Sequence, residues 1–300
     1  MVAVSVIIPA YLKEERVDAC LQSVLKQTLH DIEVIVVWQK GSDKTEEIIK
    51  SFKDPRLRLI EQTEKTGIGG AREIGVQVAT GEYLGFVDSD DTIDADYYEK
   101  LISAAKENNA DIVFSKVGTE QKAYMTFEEK YALVSNGAVF DKLFKAEFIR
   151  RNNIHFPLNC FYEDNVYLLK AFWFSNKVVT VPDALYHYFE WKRDDNRLAE
   201  LKKSIPVIAA EYVRFMEENH FNAEQKSLVC SKFISCVGGN LCAEKETYKT
   251  LLNIFRDFPE LLSSLRKRRR KFLKRRLLHL SFRHGIFNFL GLQFKFEGKL

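Results

Sequence analysis

The first 115 residues alternate between two hydrophobic periods, and that alternation restricts the fold more than any other feature of the chain. Short apolar, β-branched runs at 2–8, 33–37, 56–60, 83–87 and 111–114 are separated by helix-like segments at 17–27, 43–52, 69–79 and 95–108. Strand, helix, strand in this rhythm predicts an α/β fold, with a mainly parallel, Rossmann-like sheet and helices on both faces. Val34-Ile35-Val36-Val37 is apolar at every position, as a strand covered on both sides requires. Ligands of such sheets bind beyond the carboxyl ends of the strands, so functional residues are expected there.

Further along, helices are expected at 141–151 and 164–174 and strands at 178–181 and 185–189, continuing the same domain. From about 198 the pattern is helical, with segments at 198–219, 223–243, 248–255 and 261–280. The expected division is a 1–195 sheet domain and a 196–300 helical region, with the boundary near Asp195. A hydrophobic content of 46% against 29% charged residues supports a buried core and excludes wholesale disorder. No run approaches about 18 apolar residues, so no transmembrane helix is expected. The apolar start at 2–10 has no basic segment before it and contains a proline, so it does not read as a signal peptide. The five cysteines, Cys20, Cys160, Cys230, Cys236 and Cys242, include no CxxC pair and read as reduced thiols of a cytoplasmic protein.

The strongest local signal is Phe86-Val87-Asp88-Ser89-Asp90-Asp91. Three carboxylates directly follow a buried strand, and burying them unpaired is very costly. Either they grip a cation or they face solvent as a polar turn that caps the next helix. Side chains at i and i+2 across such a turn can converge on one ion, and oxygen-only donors suit Mg²⁺ or Mn²⁺. Glu163-Asp164 opens a helix, where adjacent carboxylates ordinarily cap.

Several segments recur in a family order: Val4-Ser5-Val6-Ile7-Ile8-Pro9-Ala10-Tyr11, Gly67-Ile68-Gly69-Gly70-Ala71-Arg72, the aspartate triplet, Asp141-Lys142-Leu143-Phe144, Tyr162-Glu163-Asp164 and Leu185-Tyr186-His187-Tyr188. Together, over roughly residues 3–190, they resemble the bacterial family 2 glycosyltransferases of the GT-A fold, which include enzymes of lipopolysaccharide and capsule synthesis. The resemblance implies a sugar transferase using a nucleoside-diphosphate sugar, with UDP as the expected nucleotide, and a saccharide or lipid-linked saccharide as acceptor. It implies Asp90 as main metal ligand and Asp88 as a ligand of the metal or the ribose, with Ser89 beside them. Pro9, Ala10 and Tyr11 would meet the base, Tyr11 alternatively being a packing aromatic. Gly69 and Arg72 would face the phosphates or base, Arg72 alternatively being a surface arginine that pairs with a neighbouring acid. Asp164, with Glu163 beside it, would deprotonate the acceptor hydroxyl, which implies inversion at the anomeric carbon. His187 is either a metal or phosphate ligand or a strand histidine among aromatics.

Two departures from the family pattern stand out. Trp38 and Gln39 occupy the end of the second strand, where an acidic pair is expected, and Lys65-Thr66 replaces an Asn-rich approach to the glycines. Gln39 still offers a donor and an acceptor to a base edge, and Trp38 offers a stacking face. A non-catalytic relative of the same fold is the rival reading these departures raise.

The net charge of +3 hides an asymmetry: positions 266–276 hold nine Lys and Arg in eleven residues, followed by a Phe-rich stretch. A basic helix beside an aromatic-aliphatic segment fits attachment to an anionic membrane surface, here the inner face of the cell membrane, or else a solvated charged helix. Nucleic-acid binding is not expected, because no recognised nucleic-acid fold surrounds the tail.

Overall fold

The computed structural model describes residues 1–115, 121–134, 137–189, 195–236 and 245–254, with isolated positions at 256, 262, 266 and 270. Apart from those positions, the expected helix 261–280 and the basic, Phe-rich tail lie outside the described residues, as does Cys242.

In chain order the elements are β1 (Val4–Ala10), α1 (Val17–Leu25), β2 (Ile32–Trp38), α2 (Thr45–Ser51), β3 (Leu57–Glu61), α3 (Gly67–Val78), β4 (Tyr83–Phe86), β5 (Thr92–Ile93), α4 (Tyr97–Asn108) and β6 (Ile112–Ser115). There follow β7 (Lys122–Tyr124), α5 (Phe127–Ala132), β8 (Lys142–Lys145), α6 (Ala146–Arg151), α7 (Glu163–Phe174), β9 (Val178–Val181), β10 (Tyr186–His187), α8 (Asp195–Glu218), α9 (Ala223–Cys236) and α10 (Lys245–Ile254). The main sheet has the order β3-β2-β1-β4-β8-β6-β9-β7, and β5 pairs with β10 in a small second sheet. β3, β2, β1 and β4 are mutually parallel, as are β6 and β9, whereas β8 and β7 run against their neighbours.

The sheet is covered on both faces, as its apolar runs require. Along β1, Val4, Val6 and Ile8 point into one core and Ile7 into the other, the period of two that a strand imposes. Each fully buried Val or Ile contributes roughly 1.5–3 kcal/mol relative to exposure. α1 turns Val17, Cys20, Leu21 and Val24 inward at helical spacing. On the other face Phe86, Phe144 and Tyr167 share a core with Ile208, Tyr212, Phe215, Phe233 and Leu251 of α8–α10. The expected boundary near Asp195 falls at the first residue of α8, and the C-terminal helices complete the core on that face.

One expected element is corrected. The helix expected over 141–151 is split into β8 and α6, because Leu143 and Phe144 fill the gap between β4 and β6, hydrogen-bonded to both. α5 was not expected, although Thr126 and Glu129 form a reciprocal capping box at its start.

Glu33 on β2 ties three segments together. Its Oε1 accepts from Ser5 Oγ at 2.6 Å and from the Thr80 N–H and hydroxyl at 2.6 and 2.7 Å, and Arg58 Nη1 lies 3.1 Å from Oε2. Burial alone would raise its pKa, but the bonds from Ser5, Thr80 and Arg58 outweigh that and lower it. Glu33→Gln is expected to destabilise the fold by about 1–3 kcal/mol at neutral pH, read from urea denaturation. Because the native pKa is depressed, Glu33 stabilises above the ordinary carboxylate value of roughly 4.3 and loses that effect as pH falls through the native one. The gap between the two proteins should therefore close on acidification.

Candidate active site

In this strand order the chain leaves β1 on one side for β2 and β3, then returns to its other side for β4. Such a switch point opens a crevice at the carboxyl ends of β1 and β4. The end of β1 brings Pro9, Ala10 and Tyr11 there, and the end of β4 brings Asp88 to Asp91. Pro9 and Ala10 are buried, and Tyr11 is 49% exposed. Leu12 follows with φ 53°, a conformation that is unfavourable for a leucine.

Each carboxylate of the triplet has a different environment. Asp88 Oδ1 lies 2.8 Å from Arg72 Nη2. Asp90 Oδ2 lies 2.5 Å from Lys13 Nζ, and Arg16 Nε donates to the Asp90 carbonyl at 3.2 Å. Asp91 is fully buried, accepting from the Tyr186 hydroxyl at 2.6 Å and the Phe189 N–H at 2.7 Å. Burial pushes the Asp91 pKa up to about 7, with Asp88 and Asp90 adding to the rise against those two hydrogen bonds. The residues after the triplet form β5 rather than running into a helix, and β5 pairs with β10. That pairing delivers the Tyr186 ring beneath the turn, where its hydroxyl also accepts from the Asp88 N–H at 3.1 Å. Ser89 is buried between them.

The second acidic pair converges on the same place. α7 begins at Glu163, directly after Tyr162 in the left-handed region with φ 66°. Arg72 on α3 is 1% exposed and meets three carboxylates: Asp88, Glu163 Oε1 at 2.7 Å from Nη1, and Asp164 Oδ1 at the same nitrogen. Burial alone would lower the Arg72 pKa, but Asp164, Asp88 and Glu163 reverse that and raise it. Burial raises the Asp164 carboxyl well above its ordinary range, Arg72 opposes the rise, and Glu163 and Asp88 add to it.

Gly69 is placed by packing: a Cβ there would lie 2.5 Å from the Pro157 carbonyl and 3.1 Å from Glu163 Cγ. The bare glycine lets the start of α3 lie against the loop that carries the acidic pair. Trp38 is buried in the sheet core, and half-buried Gln39 follows it, its N–H donating to the Ala10 carbonyl at 3.0 Å. His187 is exposed, and its Nε2 is bonded to Asp94 at 2.6 Å.

Sequence reasoning gave no role to Lys13, Arg16, Tyr186 or the Asp141–Lys142 pair. Lys142 is buried, 2.5 Å from Asp141 Oδ1 and from the Ala138 carbonyl, at the end of β8 that faces the carboxyl end of β6. The quoted Asp141-Lys142-Leu143-Phe144 motif held that signal. Nothing in local spacing connects Lys13 to an aspartate 77 residues away.

The donor set tests the fit of a divalent cation. Asp88 and Asp90 supply only oxygens, and each already attracts a protein cation. Among the described residues no three His, Cys, Asp or Glu side chains form a cage. Two carboxylates suit Mg²⁺ or Mn²⁺, which take their remaining ligands from phosphate and water.

A family model described as Glycosyl transferase family 2 matches residues 5–164. The chain is 32% identical over 221 residues to the uncharacterized glycosyltransferase EpsJ of Bacillus subtilis, covering 66% of this chain and 63% of that protein. It is 32% identical over 212 residues to a poly(ribitol-phosphate) beta-glucosyltransferase of Bacillus spizizenii, covering 65% of this chain and 33% of that protein. The chain thus matches less than two thirds of the length of either relative. Among solved structures it resembles S. aureus TarS 1–349 in complex with UDP-GlcNAc, with a TM-score of 0.62 and 19% identity, covering 94% of this chain and 92% of that one. It also resembles the mannosyltransferase PcManGT of Pyrobaculum calidifontis in complex with GDP-Man and Mn²⁺, with a TM-score of 0.57 and 17% identity over 90% of this chain and 86% of that one. At these identities the structural likeness is one of fold, and that fold is GT-A.

Tyr186→Phe removes the hydroxyl that joins Asp91 to the Asp88 backbone. The expected cost is about 1–3 kcal/mol of stability by chemical denaturation. The lost bond favours the ionised carboxylate, so the deficit should grow as pH rises through about 7.

Proposed function

The chain belongs to glycosyl transferase family 2, and on that premise we propose that it is an inverting, metal-dependent glycosyltransferase that moves a sugar from a nucleoside-diphosphate sugar, with UDP as nucleotide, to a saccharide or lipid-linked saccharide acceptor in lipopolysaccharide or capsule synthesis. One observation carries the reading. The acidic end of β4 and the acidic start of α7 meet across one crevice at the switch point of the sheet, joined through Arg72.

Asp88 and Asp90, with Ser89 between them, form the diphosphate end of the donor site and would hold Mn²⁺ or Mg²⁺. Bound there, the cation supplies neutralisation of the charge that develops on the departing nucleoside diphosphate. Pro9, Ala10, exposed Tyr11 and Gln39 form the base end, at the neighbouring ends of β1 and β2. Gly69 borders the crevice at the start of α3. Asp164 takes the proton of the attacking acceptor hydroxyl, and Glu163 is its neighbour. Burial raises the Asp164 carboxyl, the direction that strengthens a carboxylate as a base, while Arg72 opposes the rise and favours the ionised form that a base requires. One base and direct displacement give inversion, so an α-linked donor yields a β-linked product. No helix among the described residues is long and apolar enough to cross a membrane, and attachment to the inner face of the cell membrane through the basic tail fits a lipid-linked acceptor.

Two variants test the reading, with thermal unfolding used to screen UDP-sugars in the presence and absence of Mn²⁺. A donor at about 100 times its Kd stabilises the native state by roughly 2.7 kcal/mol, a readily measured shift. Asp90→Ala should abolish the Mn²⁺-dependent part of that shift. Asp164→Asn should keep the shift and lower sugar transfer or donor hydrolysis by about 10²–10⁴-fold. A full shift in Asp90→Ala, or full turnover in Asp164→Asn, would refute the assignment. A stable, donor-binding wild-type protein without turnover would favour the non-catalytic rival that Trp38 and Gln39 raise.

A further inference from the structure

The two acidic ends of the crevice come from separate parts of the chain, and one side chain spans them. Arg72 uses both terminal nitrogens on carboxylates: Nη2 on Asp88, and Nη1 on Glu163 and Asp164. It is 1% exposed, its Nε has no hydrogen-bond partner, and its guanidinium lies 5.8 Å from the Phe156 ring centroid. Both terminal nitrogens are already engaged by carboxylates, and a diphosphate that took one of those bonds would deprive a carboxylate of its buried partner. The surroundings are built to hold Arg72 still. Phe156 stacks on Tyr167 of α7 at 4.0 Å, and Gly69, one turn earlier on α3, leaves no room for a Cβ against Pro157 and Glu163.

We propose that Arg72 is a positioning residue, not a donor ligand: it fixes the Asp164 carboxylate relative to Asp88, and so sets where the acceptor's base stands with respect to the bound donor. This rests on the reading of Asp164 as the base. The guanidinium is a rigid planar fork, so binding carboxylates at both ends fixes direction as well as distance. Lysine, a point charge on a flexible stem, cannot reproduce that. A displacement of about 1 Å at a reacting group costs on the order of a hundredfold in rate.

The test separates positioning from donor binding. Wild type, Arg72→Lys, Arg72→Met, Asp164→Asn and the double variant Arg72→Met/Asp164→Asn are compared. UDP affinity is measured calorimetrically with Mn²⁺, and kcat and KM are measured for hydrolysis of UDP-GlcNAc, UDP-glucose and UDP-galactose. Expected are UDP Kd values within about threefold of wild type in both Arg72 variants, with kcat lower by about 100-fold or more. The double variant should be no slower than Asp164→Asn alone, because the strut has nothing left to orient. Added guanidinium ion at millimolar concentration should restore part of kcat in Arg72→Met and none in the double variant. If Arg72→Met does not fold, Arg72→Lys carries the same kcat-against-Kd comparison. Loss of UDP affinity with kcat retained would make Arg72 a donor ligand and overturn the inference, as would losses that multiply in the double variant. A wild-type protein that binds no UDP and hydrolyses no donor would overturn the functional reading itself. Normal turnover in wild type and unchanged kcat in Arg72→Met would overturn only the positioning role.

Discussion

A single guanidinium buried among three carboxylates holds the candidate site together. Taking one Arg and three acids out of water is expensive, and their mutual attraction offsets that cost only when geometry is good. Here the partners arrive from α3, from the end of β4 and from the start of α7, with 16 to 92 residues between them. A shift of any one of these elements breaks at least one of the ion pairs around the buried guanidinium. The packing agrees with this constraint, since Gly69 and Gly75 bring α3 against the loop before α7 and against Ile7 of β1, respectively.

The same accounting explains the triplet at the end of β4. Three adjacent carboxylates at a strand end would repel one another if all faced the same way. The fold gives each a different answer: a buried guanidinium for Asp88, a partly exposed ammonium for Asp90, and a tyrosine hydroxyl with a backbone N–H for Asp91. On the proposed reading, the first two serve the diphosphate and its cation. Asp91 is a structural member of the group, and its partner Tyr186 is present because β5 and β10 pair across the turn.

The sheet was legible in the sequence because its central strands carry continuous apolar runs such as Val34 to Val37, a pattern that suits a doubly covered strand. The acidic end of β4 was legible because it is contiguous. What escaped was whatever depends on partners remote in sequence. Leu143 and Phe144 carry no mark that separates a short buried strand from a helix turn, so β8 was expected as helix. β10 was expected, within a longer strand at 185–189, but its partner β5 spans only two residues, too few for any period to register. Arg72 was visible as a cation near a glycine-rich helix start. That it pairs with Asp164 was not, because the contact is made by the fold and not by spacing. Trp38 offered a stacking face on paper, but its place in the core of β2 commits that face to packing.

Backbone strain shows what the C-terminal helices do for the site. Tyr162 sits in the left-handed region immediately before the acidic pair, at a cost of roughly 1–3 kcal/mol. Such a conformation persists only where the surroundings over-determine it, and here they come from α8. The Ser204 hydroxyl accepts from the Phe161 N–H at 2.9 Å, and the Tyr212 hydroxyl donates to the Asn165 carbonyl at 3.1 Å. These bonds clamp the chain on both sides of Glu163 and Asp164. Tyr131 of α5 meets Tyr212 from the other direction, their hydroxyls 3.3 Å apart. The helices that follow the sheet are therefore part of the device that aims the acidic pair. A change at Ser204 or Tyr212, outside the crevice, would act on the same carboxylates that Arg72 holds from within.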